Sequence, residues 1–144
     1  MPHVERTITV DQPLAKVWDY LSDFTTTEEW DPPTRSTVRV SGDGGVGTKY
    51  HNVSEILGSD QEVDYTVTEY VEQQRFQLRG EAGKSLTTID TMTFETHGAG
   101  TAVTYHADFE LHGPAKLTTP LMPPALKILA DRVAASLEER LSAL

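Results

Sequence analysis

Between Arg35 and Leu111 the side chains change face at nearly every residue, and this constrains the fold more than anything else in the chain. Six stretches alternate with a period of two: about 35–41, 47–57, 61–71, 75–81, 85–97 and 101–111. That period belongs to strands with one buried face. The links between them are short and built from turn residues, such as Gly42-Asp43-Gly44-Gly45, Gly58-Ser59-Asp60 and Gly98-Ala99-Gly100. Links this short join neighbouring strands antiparallel, so the stretch predicts a meander. One more alternating strand, His3 to Val10, precedes it.

Two helical segments separate that first strand from the meander. Leu14, Val17, Trp18, Leu21 and Phe24 recur at helical spacing after Asp11-Gln12-Pro13, with Pro13 expected at the first helical position and Trp18 in the core. Thr25 to Trp30 carries Thr followed by Glu three residues on, a capping-box pattern that predicts a short second helix. Asp31-Pro32-Pro33 stops it. After Gly113-Pro114 the period becomes helical again. Pro120, Pro123 and Pro124 prevent a straight helix from starting at Ala115. Beyond them Leu126, Leu129, Val133, Leu137 and Leu141 form one stripe, opposite Asp131, Arg132, Glu138, Glu139 and Arg140. A single antiparallel sheet with one large helix excludes the doubly wound and parallel-barrel enzymes. The sheet must curl around the helix to bury both apolar faces. The expected fold is α+β: about seven antiparallel strands wrapped around a long C-terminal helix, with two short helices after strand one. At 144 residues it reads as one domain, 1–144.

Charge and composition narrow the function. There are 22 Asp and Glu against 12 Lys and Arg, a formal net charge of −10, and the basic residues are scattered. Such a body is repelled by phosphate backbones and anionic membranes, so no nucleic-acid partner is expected. The absence of cysteine excludes disulfides and thiolate catalysis. No apolar signal core or membrane-length run is present, so the expected location is cytoplasmic, without integral membrane association. Gly42 to Gly47 fits G-x-G-x-x-G, but a strand follows where a dinucleotide site needs a helix, so it reads as a hairpin loop. The five histidines have no ligand spacing, and neither metal nor cofactor is expected.

The order strand, two helices, six strands, long helix resembles the START-like (SRPBCC) superfamily, in its polyketide cyclase/dehydrase-like branch. The matching residues are Ile8-Thr9-Val10-Asp11-Gln12-Pro13 running into Val17-Trp18-Asp19-Tyr20-Leu21-Ser22-Asp23-Phe24, then Trp30 before Pro32, Gly47-Thr48, Val67-Thr68-Glu69-Tyr70 and Gly113-Pro114. The resemblance covers essentially the whole chain. It implies the helix-grip fold and a cavity between the concave face of the sheet and the last helix.

Alternation then selects side chains for that cavity. Val103, Tyr105, Ala107, Phe109 and Leu111 share a face, as do Leu86, Thr88, Asp90, Met92 and Phe94. Tyr50 and Asn52 turn inward if Lys49 and Glu55 take the solvent, and Phe76 sits with Leu78. On 61–71 two facings stay open: Val63, Tyr65 and Val67 inward, or Asp64, Thr66, Thr68 and Tyr70 as matching to the cyclases suggests. The candidate pocket residues are Trp30, Tyr50, Asn52, Phe76, Asp90, Met92, Tyr105, Ala107, Phe109 and Met122, with Ala107 leaving room between two aromatics. The same residues could instead fill a solid core.

Asp90 is the best catalytic candidate. A carboxylate on an apolar face is costly without a partner. It acts either as a proton acceptor or ligand anchor, or as the partner of Arg79, Lys84 or a backbone N–H. The reading preferred from the sequence is a binder or carrier of a small hydrophobic, lipid- or polyketide-like molecule. The alternatives are an aromatase/cyclase- or dehydratase-like enzyme on a polyketide-type substrate, and a regulatory protein-interaction module. An enzyme should bring at least two ionisable groups to one ligand position, and the strand faces supply only Asp90.

Overall fold

The computed structural model describes residues 2–56, 58–116 and 122–144. Seven antiparallel strands form one curved sheet: β1 (His3–Val10), β2 (Thr34–Ser41), β3 (Lys49–Ile56), β4 (Ser59–Val71), β5 (Arg75–Ala82), β6 (Leu86–His97) and β7 (Gly100–Leu111). Their order is β1-β7-β6-β5-β4-β3-β2. The six meander strands therefore lie side by side as the short links require, and β1 closes on the last of them, with Val4 opposite Ala107 and Ile8 opposite Val103. Helix α1 (Leu14–Leu21), a 3₁₀ turn (Phe24–Thr26) and α2 (Thr27–Trp30) connect β1 to β2, and α3 (Met122–Ser142) ends the chain.

Two local expectations are corrected. Pro13 stands one residue before α1, with extended backbone, and its carbonyl accepts from the Lys16 and Val17 amides. The capping box does not form either. Asp23 caps the turn instead, accepting from the Thr25 amide and hydroxyl, while the Glu28 carboxylate accepts the Thr37 amide at 2.8 Å. The Gly42–Gly47 segment is the β2–β3 hairpin loop, with positive φ at Gly42, Gly44 and Gly47. Pro123 and Pro124 fall in the first turn of α3, where their missing amides cost nothing. Pro120 lies outside the described residues.

The facing of β4 follows the first expectation from Val63 to Val67 and then departs from it. Val63 and Val67 are buried inward, and Tyr65 faces the same side. The ladder with β5 then skips Thr68: Val67 pairs with Leu78, Glu69 with Gln77 and Tyr70 with Phe76. This bulge reverses the alternation. Tyr70 consequently turns inward as well, its ring 5.2 Å from Trp18 and 6.0 Å from Phe76.

The core divides into two ends. At one, Trp18 of α1 packs edge-on against Phe94 and Phe76 (5.0 and 6.3 Å), and Phe24 against Tyr50 (5.5 Å). These rings fill the concavity. At the other end, among the described residues, α3 covers the sheet. Its buried stripe is Leu126, Ala130, Val133, Leu137 and Leu141, with Leu129 partly buried beside it. Polar contacts hold α3 along its length: Arg6 Nε to Asp131 (3.1 Å), Arg140 Nε to the Glu29 carbonyl (3.0 Å), and Gln12 Nε2 to the Ser142 and Leu144 carbonyls.

Candidate functional site

Where α1 does not reach, a cavity of about 730 Å³ lies between the sheet and α3. Its sheet wall is built by alternation: Val63 and Tyr65 of β4, Leu86, Thr88 and Asp90 of β6, and Tyr105 and Phe109 of β7. The roof is α3, through Leu126, Leu129, Ala130 and Val133. The rim is Asp31-Pro32-Pro33, Glu55, Ile128 and Arg132. Glu55, Ile128 and Arg132 are exposed, so the cavity reaches solvent there.

Asp90, Tyr105 and Phe109 are thus on the wall. The other sequence candidates are not among the described lining residues. Phe76, Met92 and Tyr50 lie at the filled end, each at most 2% exposed. Trp30 stands behind the wall, its ring 6.2 Å from that of Tyr105. Asn52 belongs to a buried polar chain: it donates to Thr37 Oγ1 (2.8 Å) and accepts from Ser54 Oγ (2.6 Å). Ala107 is fully buried opposite Val4 and Asp90 and is not among the described lining residues. The Met122 side chain lies outside what is described.

Asp90 is 7% exposed and accepts from the Tyr105 hydroxyl at 3.3 Å. The basic partners considered for it are engaged elsewhere or absent: Arg79 donates to Glu81, and no ion pair joins Lys84 to Asp90 among the described residues. Burial pushes the Asp90 carboxyl up to about 7, the Asp31 charge adds to this, and the Tyr105 hydroxyl opposes it. Asp31 is the group that sequence reasoning missed. It ends α2 with extended backbone and accepts from Thr34 Oγ1 at 2.6 Å. Burial raises it to about 6, opposed by that hydrogen bond and by Arg132. Burial, followed by the Asp90 charge, drives the Tyr65 and Tyr105 hydroxyls well above their ordinary value. Both stay protonated donors. Thr88 Oγ1 is buried beside them without a hydrogen-bond partner; the Tyr65 hydroxyl is close enough to feel it, but the pair does not meet hydrogen-bond geometry.

The arrangement is an apolar chamber with two carboxyl groups poised near neutrality and two phenols held as acids. It can solvate a ligand oxygen or nitrogen, and it can move a proton at neutral pH. No signal in the alternation could have found Asp31, because a loop residue has no period. Tyr65 was signalled by the Val63-Tyr65-Val67 face but left open against the opposite facing that matching to the cyclases suggested.

The whole-chain resemblance has direct support. No curated protein matches the chain. Among solved structures it is similar to a protein from Thermus thermophilus (21% identity, 99% of this chain and 98% of the other, TM-score 0.81). It is also similar to a START superfamily protein from Mycobacterium smegmatis (17%, 96% and 95%, TM-score 0.81). A third is the Zhui aromatase/cyclase from a Streptomyces species (14%, 96% and 92%, TM-score 0.82). At these identities the likeness speaks for the fold. Residues 1–142 match the family described as polyketide cyclase / dehydrase and lipid transport. The chain belongs to that family.

Proposed function

We propose that this protein binds a small, mainly apolar molecule in the cavity between the sheet and α3, with the ligand's polar group turned to Asp90, Tyr105 and Thr88. The observation that carries this reading is the polar cluster on an otherwise apolar wall. A solid core has no use for a carboxyl group 7% exposed that, among the described residues, has one long hydrogen bond and no ion pair, or for a Thr88 hydroxyl unpartnered among them. A ligand group relieves both. The test is titration with an apolar fluorescent probe. Stoichiometric binding is expected, and Leu129→Trp, which fills the chamber from its roof, should weaken it at least tenfold while the protein stays folded. Equal binding by that variant, or none by the wild type, overturns the reading.

A second reading, proton-transfer catalysis of the cyclase or dehydratase kind, is favoured by Asp31. It supplies the second ionisable group that the strand faces lacked. In a dehydration one ionised carboxylate would take the proton next to a ketone while a Tyr65 or Tyr105 hydroxyl gives its proton to the departing hydroxyl, which leaves as water. Turnover of a β-hydroxyketone, lost in Asp90→Asn and Asp31→Asn, supports catalysis; probe binding without turnover leaves the binder.

A further inference from the structure

The cavity's charge is out of balance. Among the described residues its lining carries three carboxyl groups, on Asp31, Glu55 and Asp90, and one guanidinium, Arg132. Glu55 is an exposed rim residue already paired with Arg35 at 3.0 Å. Among the described residues neither Asp31 nor Asp90 has a basic side chain at ion-pair distance; Arg132, exposed on α3, acts on Asp31 only through space. Asp90 is buried and Asp31 half-buried; carboxylates withdrawn from water are ordinarily matched by a cation, because desolvation of an unmatched charge costs several kcal/mol. Here they share a chamber with the rings of Tyr65, Tyr105 and Phe109 and with the unpartnered Thr88 oxygen, which has lone pairs to offer a donor.

We propose that the natural ligand is a hydrophobic amine, its ammonium group drawn to Asp90 and Asp31 and its apolar body against Leu86, Phe109 and α3. This rests on the ligand-binding reading and adds the ligand's charge to it. An ammonium supplies the missing counterion and three donors for the carboxylates and Thr88 Oγ1. Aromatic rings lining the same wall favour a cation further. Burial presses both carboxyl groups toward protonation, the Asp31 charge adds to this at Asp90, and a bound cation opposes that pressure. A carboxylate-bearing ligand such as a fatty acid would add a third negative charge to the same chamber. The net charge of −10 acts in the same direction at long range, attracting cations and repelling anions before they enter.

Three probes of one chain length separate the possibilities: decylamine, decanol and decanoate, each displacing an apolar fluorescent probe at pH 7.5. The amine should bind at least tenfold tighter than the alcohol, and decanoate weakest. The preference should persist in 0.3 M salt, because attraction to the outer surface is screened there and attraction inside the chamber is not. Asp90→Asn and Asp31→Asn should each cut the amine-to-alcohol ratio severalfold. Alcohol or carboxylate binding as tightly as amine overturns the charge inference and spares the cavity reading. So does an amine preference that vanishes in salt or survives both substitutions. Displacement by none of the three overturns the cavity reading itself.

Discussion

Asp90 makes stability depend on pH in an unusual direction. Its folded value of about 7 lies above its ordinary value of 3.8, so between these the folded state binds more protons than the unfolded chain. Stability is then fully present below about pH 4 for this group and is lost as pH rises through about 7. The loss is a few kcal/mol. Wild-type protein should have a higher urea midpoint at pH 5 than at pH 8, and Asp90→Asn should narrow the gap. An unchanged gap would mean Asp90 does not titrate in the folded protein as described. Gly80 makes a different kind of contribution. A Cβ placed there would sit 2.5 Å from Tyr65 Cε1 and 2.7 Å from Thr88 Oγ1, so the absence of a side chain on β5 is what lets both lie flat on the cavity floor. Gly80→Ala should cost about 1–3 kcal/mol and weaken probe binding as the Tyr65 ring is pushed into the chamber. In a Tyr65→Leu background the same change should cost less; additive costs would place the strain elsewhere.

At the scale of elements, the long helix does two jobs with one stripe. Leu137 and Leu141 meet solid core, while Leu126, Leu129 and Val133 roof the cavity. Leu137→Ala should therefore cost about 2–5 kcal/mol in denaturant unfolding, with probe affinity preserved. Loss of affinity at constant stability would reverse the assignment of the two ends. The stripe itself was legible, because apolar residues spaced by three and four from Leu126 to Leu141 fall on one face of a helix and on both faces of a strand. Legible too were the inward faces of β6 and β7, where alternation runs unbroken from Leu86 to Phe94 and from Val103 to Leu111. The face of β4 was not, because a one-residue bulge at Thr68 lets Tyr65 and Tyr70 both turn inward although they differ in parity. The partition of one apolar face into cavity and core was not legible either. Asp90 and Met92 sit two residues apart on the same face, yet only the first lines the chamber. What separates them is how far α1 reaches, a tertiary fact that no periodicity within β6 encodes.

At the scale of the molecule, the chamber and the filled end are cut from the same strands. β4 carries Tyr65 at the cavity and Tyr70 against Trp18; β6 carries Thr88 at the cavity and Phe94 against Trp18. Neither end can lose its strands without the other. The two tryptophans report on the two ends separately. Trp18 lies in the aromatic cluster under α1, and Trp30 backs the cavity wall through Tyr105. Both are 2% exposed, so both should shift their emission to the red on unfolding. A ligand that binds only the folded state stabilises it by about 2.7 kcal/mol at a hundred times its dissociation constant. If the strands couple the two ends, that increment should appear in full at each. Trp30→Phe protein, read through Trp18, and Trp18→Phe protein, read through Trp30, should each unfold in urea in one transition, and saturating ligand should stabilise both by the same amount. A shift confined to the Trp30 signal would show that the cavity end opens on its own, and that the ligand stabilises a lid and not the fold.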